Sequence, residues 1–76
     1  MQEFKVRLVK GGAYIEETVI ADSPMVAART FLKRTNPGDF ITVSSTLGDA
    51  KTTLKFGVNP KKHQGLDMLD YSVEGA

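Results

Sequence analysis

The chain has 76 residues, a formal net charge of +1, no cysteine and a single histidine, His63, which excludes disulfide stapling and any cysteine-based metal or nucleophile chemistry. A chain this short forms one domain with a small core, so with disulfides excluded and metal ligands scarce, self-association or docking on a larger partner is the remaining common support. The charge is unevenly placed. All ten Lys and Arg lie in residues 1–62 with six acids, leaving +4, whereas the last fourteen residues carry Asp67, Asp70 and Glu74 without a base, leaving −3.

Phe4 to Val9 alternates apolar and polar residues, so Phe4, Val6 and Leu8 share one face of a strand and Lys5 and Arg7 the other. Gly11-Gly12 supplies a two-residue hairpin turn, and Tyr14 to Ile20 is the returning strand. That loop length sets Val9 opposite Tyr14, Leu8 opposite Ile15, Arg7 opposite Glu16 and Phe4 opposite Val19, so like meets like. It also places Glu17 on the apolar face opposite Val6, which calls for either a bulge near Glu16-Glu17 or an exposed sheet edge.

Ser23 reads as an N-cap and Pro24 as the first helical residue. From Met25 to Thr35 the spacing of Ala27, Ala28, Phe31 and Leu32 predicts one amphipathic helix, with Arg29, Lys33 and Arg34 turned to water. Asn36-Pro37-Gly38 ends it, because proline disfavours helical geometry in the residue before it. Phe40 to Ser45 is a third strand and Ala50 to Val58 a fourth, around a turn at Leu47-Gly48-Asp49. The fourth is two-faced: Ala50, Thr52, Leu54, Phe56 and Val58 point one way, and Lys51, Thr53, Lys55 and Gly57 the other. Asn59-Pro60 stops it and a polar loop runs to Gly65. Leu66 to Val73 is either a last edge strand or a docking arm.

The predicted fold is therefore α+β, ordered ββαββ, with one amphipathic helix on an antiparallel sheet. Residues 1–58 form the compact domain and residues 59–76 a C-terminal arm, which would dock elsewhere or add an edge strand. The N-terminal residues lack the pattern of a signal peptide, and no apolar run approaches a membrane span of ~20 residues. The expected setting is the cytoplasm, or synthesis there if the source is viral, with no membrane partner.

Catalytic and metal chemistry find little support. His63 with Asp67 and Asp70 lacks the further ligand of a tetrahedral set, and a polar loop positions such groups poorly. Gly11-Gly12 leads into a strand, whereas a phosphate cradle leads into a helix carrying Lys-Ser or Lys-Thr. Ser44, Ser45, Thr46, Thr52 and Thr53 have no adjacent base to activate a hydroxyl. Neither an enzyme nor a cofactor is expected.

Two binding surfaces stand out instead. Lys5, Arg7, Lys51 and Lys55 occupy polar-face positions of two strands and would form, beside Tyr14, a basic sheet face suited to nucleic acid. Only Tyr14 is available for stacking there, since Phe4, Phe31, Phe40 and Phe56 are assigned to the core. Leu66, Met68, Leu69, Tyr71 and Val73, interleaved with acids, would form a protein-docking arm whose −3 charge complements the +4 body of a neighbouring copy. A non-enzymatic interaction or assembly module, self-associating or acting as an accessory or structural subunit, is the leading functional expectation. Nucleic-acid binding by the basic face is the alternative.

Overall fold

In the computed structural model, which describes residues 1–47, 50–62 and 65–74, five strands form one antiparallel sheet in the order β2-β1-β3-β4-β5. The strands are β1 (Gln2–Lys10), β2 (Ala13–Ala21), β3 (Phe40–Leu47), β4 (Ala50–Val58) and β5 (Leu66–Glu74), and the helix α1 spans Pro24–Arg29 between β2 and β3. The observed order is thus ββαβββ, one strand more than the predicted ββαββ. Residues 66–74 pair with β4 from Leu66 to Glu74, with one register shift.

The first hairpin follows from its alternation. Lys10 pairs with Ala13 around Gly11-Gly12, with Gly11 in the left-handed region at φ 56°. The pairs Val9–Tyr14, Leu8–Ile15, Arg7–Glu16, Val6–Glu17 and Phe4–Val19 all form as the loop length dictates. This register runs unbroken from Gln2–Ala21 to Lys10–Ala13, so no bulge accommodates Glu17. The sheet edge does: β2 is an outer strand, and the Glu17 carboxylate accepts from Arg34 Nη1 at 2.9 Å.

Ser23 caps α1 as predicted, its hydroxyl accepting from the Val26 N–H at 3.3 Å with Pro24 at the first position. The helix is shorter than the predicted Met25–Thr35. It ends at Arg29, and Leu32–Arg34 forms a separate 3-10 turn. The Thr30 hydroxyl donates to the Ala27 carbonyl at 2.7 Å, and the N–H groups of Thr30, Phe31, Arg34 and Thr35 all reach back three residues instead of four. A β-branched hydroxyl residue that bonds its own preceding turn tightens the chain in this way. The tightening still buries Phe31 and leaves Leu32 packed at the margin of the core.

One face of the sheet carries the core. Phe4, Val6 and Leu8 of β1, Ile41 and Val43 of β3, and Leu54, Phe56 and Val58 of β4 lie under Ala27, Ala28 and Phe31. Ala27 and Ala28 are fully buried, and their small size lets α1 approach β1, β2 and β3 closely. Each large side chain so buried contributes roughly 1.5–3 kcal/mol. Phe40 departs from expectation. Because Ile41 and Val43 point inward, the pleat turns Phe40 to the opposite face, where it is 37% exposed.

Beyond α1, Asn36-Pro37-Gly38 reverses the chain with Gly38 at φ 92°. The Asp39 carboxylate ties this turn to the sheet, accepting from the Asn36 N–H at 2.8 Å and from Lys10 Nζ at 3.0 Å. These two donors hold the Asp39 carboxyl below the ordinary carboxylate range, the backbone bond to Asn36 being the larger cause. Leu47 pairs with Ala50 at the next turn, whose predicted Gly48 and Asp49 lie outside the described residues. No helix among the described residues is long and apolar enough to cross a membrane.

β5 joins β4 with a bulge. Val58–Leu66, Gly57–Asp67 and Phe56–Met68 pair in one register, and Lys55–Asp70 to Lys51–Glu74 in another, leaving Leu69 as the extra residue. Leu69 lies across Gly57, where a Cβ would stand 3.1 Å from Leu69 Cδ1. A side chain at position 57 would have to push the half-exposed end of Leu69 aside.

Candidate interaction surfaces

Among the described residues, no helix covers the face opposite the core. Its residues follow from the pairings: Glu3, Lys5, Arg7 and Val9 from β1; Tyr14, Glu16, Thr18 and Ile20 from β2; Phe40, Thr42 and Ser44 from β3; Lys51, Thr53 and Lys55 from β4; and Asp67, Asp70, Ser72 and Glu74 from β5. All five residues predicted for a nucleic-acid face, Lys5, Arg7, Tyr14, Lys51 and Lys55, therefore share one surface. β3 separates the two basic strands, which spaces them by two strand intervals, about 10 Å.

Register decides how much positive charge this surface presents. One row across the sheet reads Glu16, Arg7, Thr42, Lys55, Asp70, with bases inside and acids at both edges. Lys51 pairs with Glu74 in another row. Four cations thus share the face with the five carboxylates of Glu3, Glu16, Asp67, Asp70 and Glu74. Arg7 donates to Glu16 from both Nε, at 3.1 Å, and Nη2, at 2.8 Å, while Lys5 lies 3.9 Å from the same carboxylate. The hydrogen bond to Glu16 raises the Arg7 guanidinium above its ordinary value, and its counterpart lowers Glu16. The acids of the last segment stand beside bases of the same chain, Asp70 and Glu74 opposite Lys55 and Lys51 in the ladder and Asp67 3.9 Å from Lys62.

Two aromatic rings occupy this face where the sequence suggested one. Arg7 lies over the Tyr14 ring, 4.4 Å from its centroid, and Lys55 lies over the Phe40 ring at the same distance. The rings sit in one row, Tyr14–Val9–Phe40, again two strand intervals apart. Composition alone assigns Phe40 to the core, as an aromatic in a small domain; the alternation of Phe40, Thr42 and Ser44 against Ile41 and Val43 is the signal that places it on the open face. Between the basic strands lies a shallow depression of about 240 Å³, with Lys5, Arg7, Glu16, Ser44, Lys51 and Thr53 among its walls. The Ser44 and Thr53 hydroxyls in it are 3.3 Å apart and bond to each other.

The predicted docking segment divides in two. Leu66 is buried and anchors β5 to the core, whereas Met68, Leu69, Tyr71 and Val73 are each more than half exposed. Met68, Tyr71 and Val73 lie on the core side of the sheet, out beyond α1, and Leu69 on the open face. The other outer strand matches this exposure, with Tyr14 61%, Ile15 47% and Ile20 65% accessible. His63 lies outside the described residues. Asp67 accepts from Asn59 Nδ2 at 3.1 Å, and Asp70 accepts from the N–H of Tyr71 at 2.8 Å. Among the described residues no three potential ligands gather to hold a metal ion.

Searches against protein-family models, curated proteins and solved structures give no match for this chain.

Proposed function

We propose that this chain is a non-enzymatic assembly module that joins protein chains through the two free edges of its sheet. The observation that carries this reading is the exposure of the outer strands. Each is nine residues long, each leaves one row of backbone N–H and C=O groups without a neighbouring strand among the described residues, and each displays exposed apolar side chains along it. Such a strand is a template for pairing with another chain unless something blunts it. The charge balance of the open face supports the same reading over nucleic-acid binding. Arg7 already engages Glu16, and a duplex or single strand would meet carboxylates on both flanks of the basic rows.

Sedimentation velocity from micromolar to millimolar concentration tests this reading on the native chain and on Ile20→Lys and Tyr71→Lys, which place a charge on each edge in turn. Concentration-dependent association that at least one substitution suppresses is the expected result. The Tyr14 and Phe40 platform keeps nucleic acid as the second reading. A monomer at every concentration, together with oligonucleotide binding that persists at physiological salt and weakens in Lys51→Glu/Lys55→Glu, would replace the first reading with the second.

A further inference from the structure

We infer that the β2 edge pairs with the β2 edge of a second copy of this chain, antiparallel about a two-fold axis at Glu17, joining two sheets into one of ten strands. This rests on the assembly reading and names its partner, edge and register. The backbone fixes which groups are on offer. Lys10 and Ala13 flank a two-residue loop and so bond to each other, and every second residue from Ala13 to Ala21 spends its N–H and C=O on β1. Tyr14, Glu16, Thr18 and Ile20 consequently present theirs to the free edge.

With Glu17 opposite Glu17 of the copy, Tyr14 meets Ile20 and Glu16 meets Thr18. All four are outward-bonding residues, so each such pair exchanges two hydrogen bonds. A slip by one residue would set an outward-bonding residue against one already committed to β1, and the ladder would fail. A slip by two would set Tyr14 against Thr18 or Glu16 against Ile20.

Side chains select the same register. The strand reads Ala-Tyr-Ile, Glu-Glu-Thr, Val-Ile-Ala, apolar at both ends and polar at the centre, so reversing it returns the same pattern. Tyr14 against Ile20 covers apolar surface on the open face, and Ile15 against Val19 covers it on the core side. Glu17 against its copy would repel, but each carboxylate already holds Arg34 of its own chain at 2.9 Å, so the axis gathers two acids and two bases. β5 lacks these properties. Its bulge at Leu69 twists the edge, and a self-pairing would bring together two strands that each carry Asp67, Asp70 and Glu74 and no base. β2 has no bulge, and its one self-facing carboxylate, Glu17, is already paired with Arg34.

The absence of cysteine from the sequence makes the test direct. Residues facing each other in a non-bonded antiparallel pair have Cα atoms about 4.5 Å apart, within reach of a disulfide. Glu17→Cys should therefore form a covalent dimer under mild oxidation. Thr18→Cys, displaced from its own copy along the strand, and Val73→Cys on β5 should stay monomeric on a non-reducing gel. Adding Ile20→Lys to Glu17→Cys should slow cross-linking at least tenfold. Cross-linking of Val73→Cys ahead of Glu17→Cys would overturn the β2 pairing while leaving assembly through a sheet edge intact. If no variant cross-links and the native chain sediments as a monomer, both the pairing and the assembly reading fall.

Discussion

Leu66→Ala tests whether the last strand belongs to the cooperative fold. Of the nine residues of β5, all of them described, Leu66 alone is buried, with 5% of its surface accessible. It packs in the cluster that includes Phe4, Phe56 and Phe31. Truncation to alanine removes three buried carbon groups, worth roughly 2.4 kcal/mol at about 0.8 kcal/mol each, and the cavity left behind adds to this. A domain of this length has a total stability of about 4–11 kcal/mol, so the variant should stay folded at 25 °C but with a large part of its margin gone. Each kcal/mol shifts the midpoint of so small a domain by about 4–8 °C, which sets the expected fall in Tm at about 10 °C or more. Differential scanning calorimetry provides the assay. Met68→Ala, at a position 57% exposed, serves as the comparison and should cost less than about 1 kcal/mol. If Leu66→Ala shifts the transition no more than Met68→Ala does, β5 is a peripheral arm and the burial argument is wrong.

The cap and the acid-labile turn give further expectations. Ser23→Ala should destabilise by about 0.5–1 kcal/mol, since the capping bond is long at 3.3 Å, and Ser23→Gly by only a few tenths. Equal losses in urea titration would show that the hydroxyl is not the cause. Asp39 and Glu16 are both held below the ordinary carboxylate range, Asp39 by the Asn36 N–H and Lys10, Glu16 by Arg7. Groups whose folded pKa is depressed stabilise fully above their unfolded value and lose that contribution as pH falls through the folded one. Stability should therefore hold from neutral pH down to the carboxylate range near pH 4 and decline below it. Asp39→Asn should be less stable at pH 7 yet decline less on acidification. Parallel decline of the native and Asp39→Asn chains in thermal melts from pH 7 to pH 3 would refute the assignment.

The parts of this fold that can be read from the sequence are those where local chemistry has one solution. A two-glycine loop between alternating segments permits a single facing of charges and apolar groups, and the observed Val9–Tyr14 to Phe4–Val19 pairs are that facing. Ser23-Pro24 is equally local. The length of the helix is not, because the Thr30 hydroxyl competes with helix geometry only where Phe31 and Leu32 must be set down on the sheet. β5 evades a period-two reading because Leu69 inserts an extra residue, so Met68 and Tyr71 share a face despite their odd separation. The basic surface illustrates a third case. Strand patterns place Lys5, Arg7, Lys51 and Lys55 on one side, but only the pairing order reveals that Glu16, Asp70 and Glu74 stand beside them.

The strand order also has a kinetic consequence. β1 with β2, and β3 with β4 and β5, are two units closed by chain neighbours, and units of this kind form within microseconds. The seam between β1 and β3 joins residues 31 to 39 positions apart, from Val9–Phe40 to Lys5–Ser44. Closing that long connection, with α1 inside it, carries most of the entropic barrier to folding. The completely enclosed pair Val6–Val43 lies on this seam, at the point where two separately collapsing halves of the chain must find each other.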